Sequence, residues 1–273
     1  MTTTDVYRIT DQLDDGTLAA LVTRLEARGR HPRFAAMMND YFSAMHVQSA
    51  NRILDLGCGT GVAARAIAGA PGFSGHVTGI DLSPYLAAEA QRIAAREGLS
   101  EKIDFCVGDS RSLGLPEESF DAAIAHTLMS HVPDPLSVLT ELRRVVRPRG
   151  FIGIFDGDYA SMTFATADPA QGKADDEAII SAIVTNPRVM RQMPELLREA
   201  GLELVNSQAY VVADIGKADF WAPAIESFLR ILPKAGAMSE TAARAWTDAM
   251  VKRSEEGIFF GASNYYSFVA ARR

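Results

Sequence analysis

Between Ile53 and Gly61 the chain reads Ile-Leu-Asp-Leu-Gly-Cys-Gly-Thr-Gly, and a helical stretch begins near Val62. An apolar run that ends in three alternate glycines and passes straight into a helix is a strand–turn–helix unit. Glycine tolerates the left-handed backbone such a turn needs, and the helix amino terminus is left open to a ligand. The alternation continues downstream. Short apolar runs predict strands over Ile53–Leu56, His76–Ile80, Ile103–Val107, Ala122–Ala125, Phe151–Phe155, Leu204–Val211 and Tyr266–Ala270. Several are continuous rather than alternating, as strands covered on both faces are. Ser83-Pro84 and Asp134-Pro135 open intervening helices with a cap and a first-turn proline. Gly98 closes the first, and Leu136, Leu139, Leu142 and Val146 form the inward stripe of the second, which is expected to stop before Pro148. The pattern predicts an α/β fold with a doubly wound, mostly parallel sheet of seven strands.

The flanks read differently. Leu18, Leu21, Val22 and Leu25 form one helical stripe, and Phe34, Met37, Met38, Tyr41 and Met45 another, so residues 1–50 are expected to form a helical N-terminal extension to the main domain, 51–273. Core packing accounts for these aromatic and Met positions, with Arg33 and Tyr41 as candidate lid contacts. Residues 158–200 and 213–257 break the plain alternation and are expected to form inserts that partly cover the carboxyl edge of the sheet, where open α/β sheets bind ligands.

Composition narrows the class. In 273 residues, 48% hydrophobic and 22% charged content is that of a folded globular chain, and the net charge of −7 argues against a nucleic-acid partner. Cys58 and Cys106 are the only cysteines and form no C-x-x-C pair, so neither a disulfide framework nor a thiolate zinc site is expected. No signal-peptide pattern opens the chain and no apolar run approaches membrane-spanning length, so a cytoplasmic location without membrane attachment is expected; a homodimer is left open.

Three ligand classes use a glycine turn of this kind. A nucleoside triphosphate requires Gly-Lys-Ser/Thr, whereas Val62-Ala63-Ala64 stands there. A dinucleotide requires G-x-G-x-x-G, whereas Val62 occupies the third-glycine slot, and Asp55 beside the turn would repel a pyrophosphate. S-adenosylmethionine carries a sulfonium and an ammonium, both of which Asp55 would attract. The run Asp55-x-Gly57-x-Gly59-x-Gly61 resembles the first motif of the class I S-adenosylmethionine-dependent methyltransferases. Further matches follow in the family's order: the acidic end of the second strand at Asp81-Leu82-Ser83, Gly108-Asp109-Ser110 after the third, and His126 with Leu128-Met-Ser-His131-Val-Pro-Asp134-Pro135 after the fourth. The last of these, with the closing stretch Phe259–Arg272, is similar to small-molecule enzymes of the ubiquinone/menaquinone-biosynthesis type. The resemblance is strong over roughly 50 to 157 and implies a Rossmann-like methyltransferase domain.

It also implies a site. Asp55, Gly57, Cys58, Gly59 and Gly61 would hold the methionine end of the cofactor, with Cys58 contributing backbone only. Asp81 would bind both ribose hydroxyls with Leu82 alongside, and Asp109 and Ser110 would clamp adenine. His126 lies where the family passes the methionine part, and His131 follows in the next loop. Either imidazole, and less strongly Asp156, is a candidate for removing a proton from the acceptor; for His131, capping or packing is the preferred reading by a small margin. Asp156 and Asp158 point toward the mouth or merely end the fifth strand. Asp121 is expected to be structural. No metal is expected, because His126 stands where metal-dependent relatives place a carboxylate. The implied reaction is in-line transfer of the methyl group to an N, O or C nucleophile of a small molecule, with S-adenosylhomocysteine as product. An NAD(P)-dependent oxidoreductase on the same fold and a non-methylating S-adenosylmethionine-binding protein are the alternatives.

Overall fold

A computed structural model describes residues 5–273; Met1–Thr4, the start of the expected helical extension, lie outside the described residues. Two helices, α1 (Asp15–Arg30) and α2 (Pro32–Ala44), follow a short 3-10 segment at Val6–Gln12. The central unit then alternates β1 (Arg52–Leu56), α3 (Val62–Ala68), β2 (His76–Asp81), α4 (Pro84–Arg96), β3 (Ile103–Val107), β4 (Phe120–His126), α5 (Pro135–Val145) and β5 (Val146–Phe164). After it come α6 (Pro169–Ile183), α7 (Val189–Glu199), β6 (Glu203–Gly216), α8 (Ala222–Lys234), α9 (Glu240–Glu255) and β7 (Phe259–Ala271).

The seven strands form one sheet in the order β3-β2-β1-β4-β5-β7-β6. All neighbours are parallel except β7, which runs antiparallel to both β5 and β6. Successive strand residues serve two cores: Ile53, Ala122, Ile124 and Phe155 pack on one face, Leu54, Leu56, Ala123, Ala125, Ile152 and Ile154 on the other. That double burial is why these runs are continuously apolar. The predicted caps form, with Ser83 Oγ accepting from the Leu86 N–H and Asp134 Oδ1 from the Ser137 N–H. Asp121 is structural: it accepts from the backbone N–H groups of Asn51 and Arg52 and pairs with Arg147.

Three strands exceed their expected bounds: β6 runs on to Gly216, into the second expected insert, β7 starts at Phe259 instead of Tyr266, and β5 differs at both ends. The fifth strand starts at Val146, before Pro148, and continues to Phe164 instead of ending at Phe155. Its antiparallel partner β7 extends the ladder past the sheet edge, with a register shift between Asp158 and Thr163, so residues 158–164 are strand and the insert begins after them. The chain order brings β1 and β4 side by side while their following crossovers diverge, which opens a crevice outside their carboxyl ends.

Candidate functional site

A cavity of about 240 Å³ occupies that crevice, far more than an ordered water needs. Its walls include Asp55, the turn Gly57–Thr60, Asp81, Leu82, Asp109 and Ser110, together with His126 and His131. Gly57, Gly59 and Gly61 all have positive φ. The turn is fixed by the N–H groups of Gly57 and Cys58, which both donate to the Ile80 carbonyl.

Asp55 is fully buried; Oδ2 accepts from the Ala64 N–H in the first turn of α3, and Oδ1 has no partner. Burial pushes its carboxyl up from an ordinary 3.8 to about 7; the Ala64 N–H opposes this and nearby Asp81 reinforces it. The folded chain therefore holds this proton more tightly than the unfolded chain. Ligand-free stability from this group is fully present below about 3.8 and is lost as pH rises through about 7. Asp81 and Asp156, also raised by burial, act in the same sense. Asp55→Asn is expected to flatten the upper part of the decline in melting temperature across that interval; an unchanged slope would assign it to other groups.

Asp81 joins two elements: Oδ2 accepts from the Gly59 N–H at 2.8 Å and Oδ1 from the Ser83 N–H at 2.9 Å. Leu82 beside it is 40% exposed on the cavity wall. Asp109 also lines the cavity, but its carboxylate is held by Arg111 through a bidentate pair with contacts down to 2.6 Å, which keeps it below the usual carboxylate range. An adenine amine would share that carboxylate with Arg111. Burial, with Asp81 and Asp55 nearby, pushes the Cys58 thiol well up, so it is no nucleophile.

The two histidines part company. His126 is buried, stacks on Phe155 and meets the Tyr41 hydroxyl at Nδ1, 2.8 Å away. Burial, and secondarily the Arg28 charge, lowers its pKa to about 3. It is neutral at ordinary pH and too weak a base for the proton-removing role expected of it. The Tyr41 hydroxyl and Nδ1 share one hydrogen bond whose direction follows the ring tautomer. The buried Nε2 has no hydrogen-bond partner among the described residues, and the ring lies at the cavity wall. Tyr41 is thus core, not lid, and Arg33 pairs with Asp214.

His131 keeps an accessible side. Its Nδ1 lies 3.0 Å from Oδ2 of Asp5, whose side chain is 3% exposed and also accepts from the Thr185 hydroxyl and the Tyr7 N–H. Asp156 does not reach the cavity. Its oxygens accept from the Ser130 and Gly157 N–H groups and tie the loop after β4 to β5, a structural task rather than the chemical one expected. Asp158 is committed to Arg191.

The cover over the crevice also differs from expectation. Tyr7, Arg8 and Thr10 of the N-terminal segment, with Arg24, Leu25 and Arg28 of α1, form it, and Ser83 Oγ donates to the Thr10 carbonyl. β5 itself adds Tyr159 and the insert after it Ile183, while the segment before β7 lines only a second, small pocket through Phe220, Trp221, Pro223 and Ala224. Asp5, Tyr7, Arg24, Arg28 and Thr127 are site residues that sequence reasoning missed, since none belongs to a motif.

Residues 54–154 match the family described as methyltransferase domain. A sterol 24-C-methyltransferase of Gibberella zeae is 30% identical over 172 residues, which are 63% of this chain and 44% of that protein. An uncharacterized 37.1 kDa protein in transposon TN4556 of Streptomyces fradiae is 31% identical over 239 residues, 87% of this chain and 66% of its own length. The chain thus spans 44% and 66% of these two relatives. Among solved structures, the YcgJ protein of Bacillus subtilis superposes with a TM-score of 0.59 at 17% identity, over 86% of this chain and 98% of that one. The likeness to YcgJ is one of fold. Among the described residues, no helix is long and apolar enough to cross a membrane.

Proposed function

From a chain whose central domain belongs to the class I S-adenosylmethionine-dependent methyltransferases, we propose an enzyme that transfers a methyl group to an N, O or C nucleophile of a small molecule, with S-adenosylhomocysteine as product. One observation carries this reading: a fully buried carboxylate oxygen of Asp55 with no protein partner, beside a cavity walled by a left-handed glycine turn. A buried acceptor left unsatisfied is costly, and a cationic guest removes the cost. Asp55 would serve the ammonium end of S-adenosylmethionine, the Gly57–Gly61 backbone with Cys58 would approach it closely, and Asp81 would take the ribose hydroxyls. Leu82 suits an adenine face, and Ser110 with Asp109 lies beyond it.

The bound donor supplies an already activated methyl group, so the protein's work is alignment and exclusion of water. The cover built from Tyr7 and α1 excludes water. His126 brings its unpartnered Nε2 to the cavity wall, and His131, oriented by Asp5, is the residue placed to accept a proton from the acceptor. The unpaired state of Cys58 and Cys106 and the net charge of −7 support a cytoplasmic enzyme with no nucleic-acid partner.

Calorimetric binding of S-adenosylhomocysteine, with none of NADH, is the expected result; the reverse would establish an oxidoreductase. Screening small-molecule acceptors with labelled methyl donor then identifies the substrate, and binding without any transfer would favour a non-methylating protein. Asp81→Ala is expected to weaken S-adenosylhomocysteine about 10- to 100-fold, because two hydrogen bonds to the ligand and the anchor of Gly59 go together. Unchanged affinity would remove Asp81 from the site.

A further inference from the structure

Residues 184–188 connect α6 to α7, and three of their polar groups reach the loop that carries His131. The N–H groups of Thr185 and Asn186 both donate to the Ser130 carbonyl, at 3.0 and 2.8 Å, and Asn186 Nδ2 donates to the Val132 carbonyl. The two carbonyls that flank His131 in sequence are therefore held from one connection. The Thr185 side chain turns to the imidazole's own partner. Its Oγ1 donates to Asp5 Oδ2 at 3.0 Å, and that oxygen also faces His131 Nδ1 at 3.0 Å. Asp5 Oδ1 accepts from the Tyr7 N–H at 2.9 Å.

A carboxylate fixed only by a neighbour in its own segment moves whenever that segment moves. Tyr7, close to Asp5 in sequence, is such a neighbour. Among the described residues, Thr185 is the one partner of this carboxylate, other than the imidazole, that belongs to another part of the chain. Asp156 is no substitute, because its oxygens take the Ser130 and Gly157 N–H groups. In a neutral imidazole, the bond made by one nitrogen determines which of the two carries the proton. Asp5 facing Nδ1 makes that nitrogen the donor, so a group that holds Asp5 in place also holds the tautomer.

We infer that Thr185 is a positioning residue for the proton acceptor: it holds Asp5 against Nδ1 of His131 and so keeps the Nε2 lone pair free for the acceptor molecule. The inference rests on the methyl-transfer reading with His131 as base. Thr185 is not part of the cavity wall, so its hydroxyl acts through Asp5 and touches no ligand. The connection between α6 and α7 thereby acquires a task in the reaction that its small share in the cover does not account for.

The test reads the tautomer directly, by nitrogen NMR of the full chain carrying isotope-labelled histidine, at a pH where the ring is neutral. The chain has 5 histidines, and the spectrum of His131→Gln assigns the resonance by difference. In the wild type the Nδ1–H form is expected to exceed the Nε2–H form about tenfold or more. Thr185→Val removes the donor but keeps the branched shape, and is expected to reduce that ratio about three- to tenfold, whereas Thr185→Ser retains it. Thr185→Ala gives the same reading should the Val variant fail to fold. Once the labelled-donor screen supplies the acceptor, Thr185→Val should lower kcat about three- to tenfold at unchanged KM, with no further loss in a His131→Gln background. A Thr185 that serves only the fold would lower the melting temperature and leave the ratio alone. That result, or a wild type dominated by the Nε2–H form, would overturn the inference. Wild-type turnover in His131→Gln would instead remove the base, while a ratio that still falls in Thr185→Val would keep Thr185 as the residue that orients the imidazole.

Discussion

His131→Gln is expected to lower kcat by roughly 10²- to 10⁴-fold, the usual contribution of a positioned proton acceptor, while S-adenosylhomocysteine affinity stays within a few-fold of wild type. The Asp5 carboxylate faces Nδ1 at 3.0 Å, which makes that nitrogen the donor and leaves the Nε2 lone pair for the cavity. The same carboxylate offsets the charge that appears when Nε2 takes a proton. Glutamine preserves the polar volume but cannot accept the proton, so kcat should suffer more than KM. With the acceptor found by the labelled-donor screen, His131→Gly should regain turnover when imidazole is added. Asp5→Asn should lower kcat by about tenfold or more, with partial recovery in Asp5→Glu. A purely structural Asp5 would lower the melting temperature and leave kcat alone. Wild-type turnover in His131→Gln would eliminate the base.

The sheet was legible because its signals are local. β3 runs over Ile103–Val107 as read, and the caps at Ser83 and Asp134 need only three following residues to form. The glycine turn is equally local: its geometry depends on residues within one strand–helix junction. Errors gathered where long-range pairing overrides local punctuation. Pro148 and Gly150 mark a helix stop in sequence, yet β5 starts at Val146, where its ladder with β4 begins, and runs to Phe164 on the ladder with β7.

The chemistry of the site was legible only in part, for the same reason. His126 and His131 look alike in sequence. They differ through partners far along the chain, Tyr41 at a separation of 85 residues and Asp5 at 126. Arg28 finds Thr127 across 99 residues. No periodicity encodes such pairs, because the sheet crossovers determine which loop ends beneath the N-terminal segment. The sequence points to the inserts as the cover because residues 158–200 and 213–257 break the strand–helix alternation. In the structure Trp221 and Trp246 of the second insert pack instead against Phe164, on the part of β5 that its ladder with β7 extends.

Gly57→Ala is expected to weaken S-adenosylhomocysteine binding by about 100-fold, equivalent to roughly 2.7 kcal/mol, while the chain remains folded. The φ of +69° at this residue costs an L side chain about 1–2 kcal/mol. A Cβ there would also lie 2.6 Å from Leu128 Cδ1 and 3.1 Å from Leu128 Cβ, so the clash involves the root of that side chain as well as its tip. Relief requires either the turn to leave the Ile80 carbonyl, which the Gly57 N–H holds at 2.7 Å, or the Leu128 loop to move and carry His131 with it. Both distort the wall that meets the cofactor. Gly98→Ala separates strain from site: its φ is +72°, no atom lies within 4 Å of the added Cβ, and it sits past the end of α4. It should lose a comparable 1–2 kcal/mol of stability, seen as a melting shift of several degrees, with ligand affinity intact. If both variants melt alike and both bind S-adenosylhomocysteine as wild type does, the turn is only a turn, and the cofactor lies elsewhere.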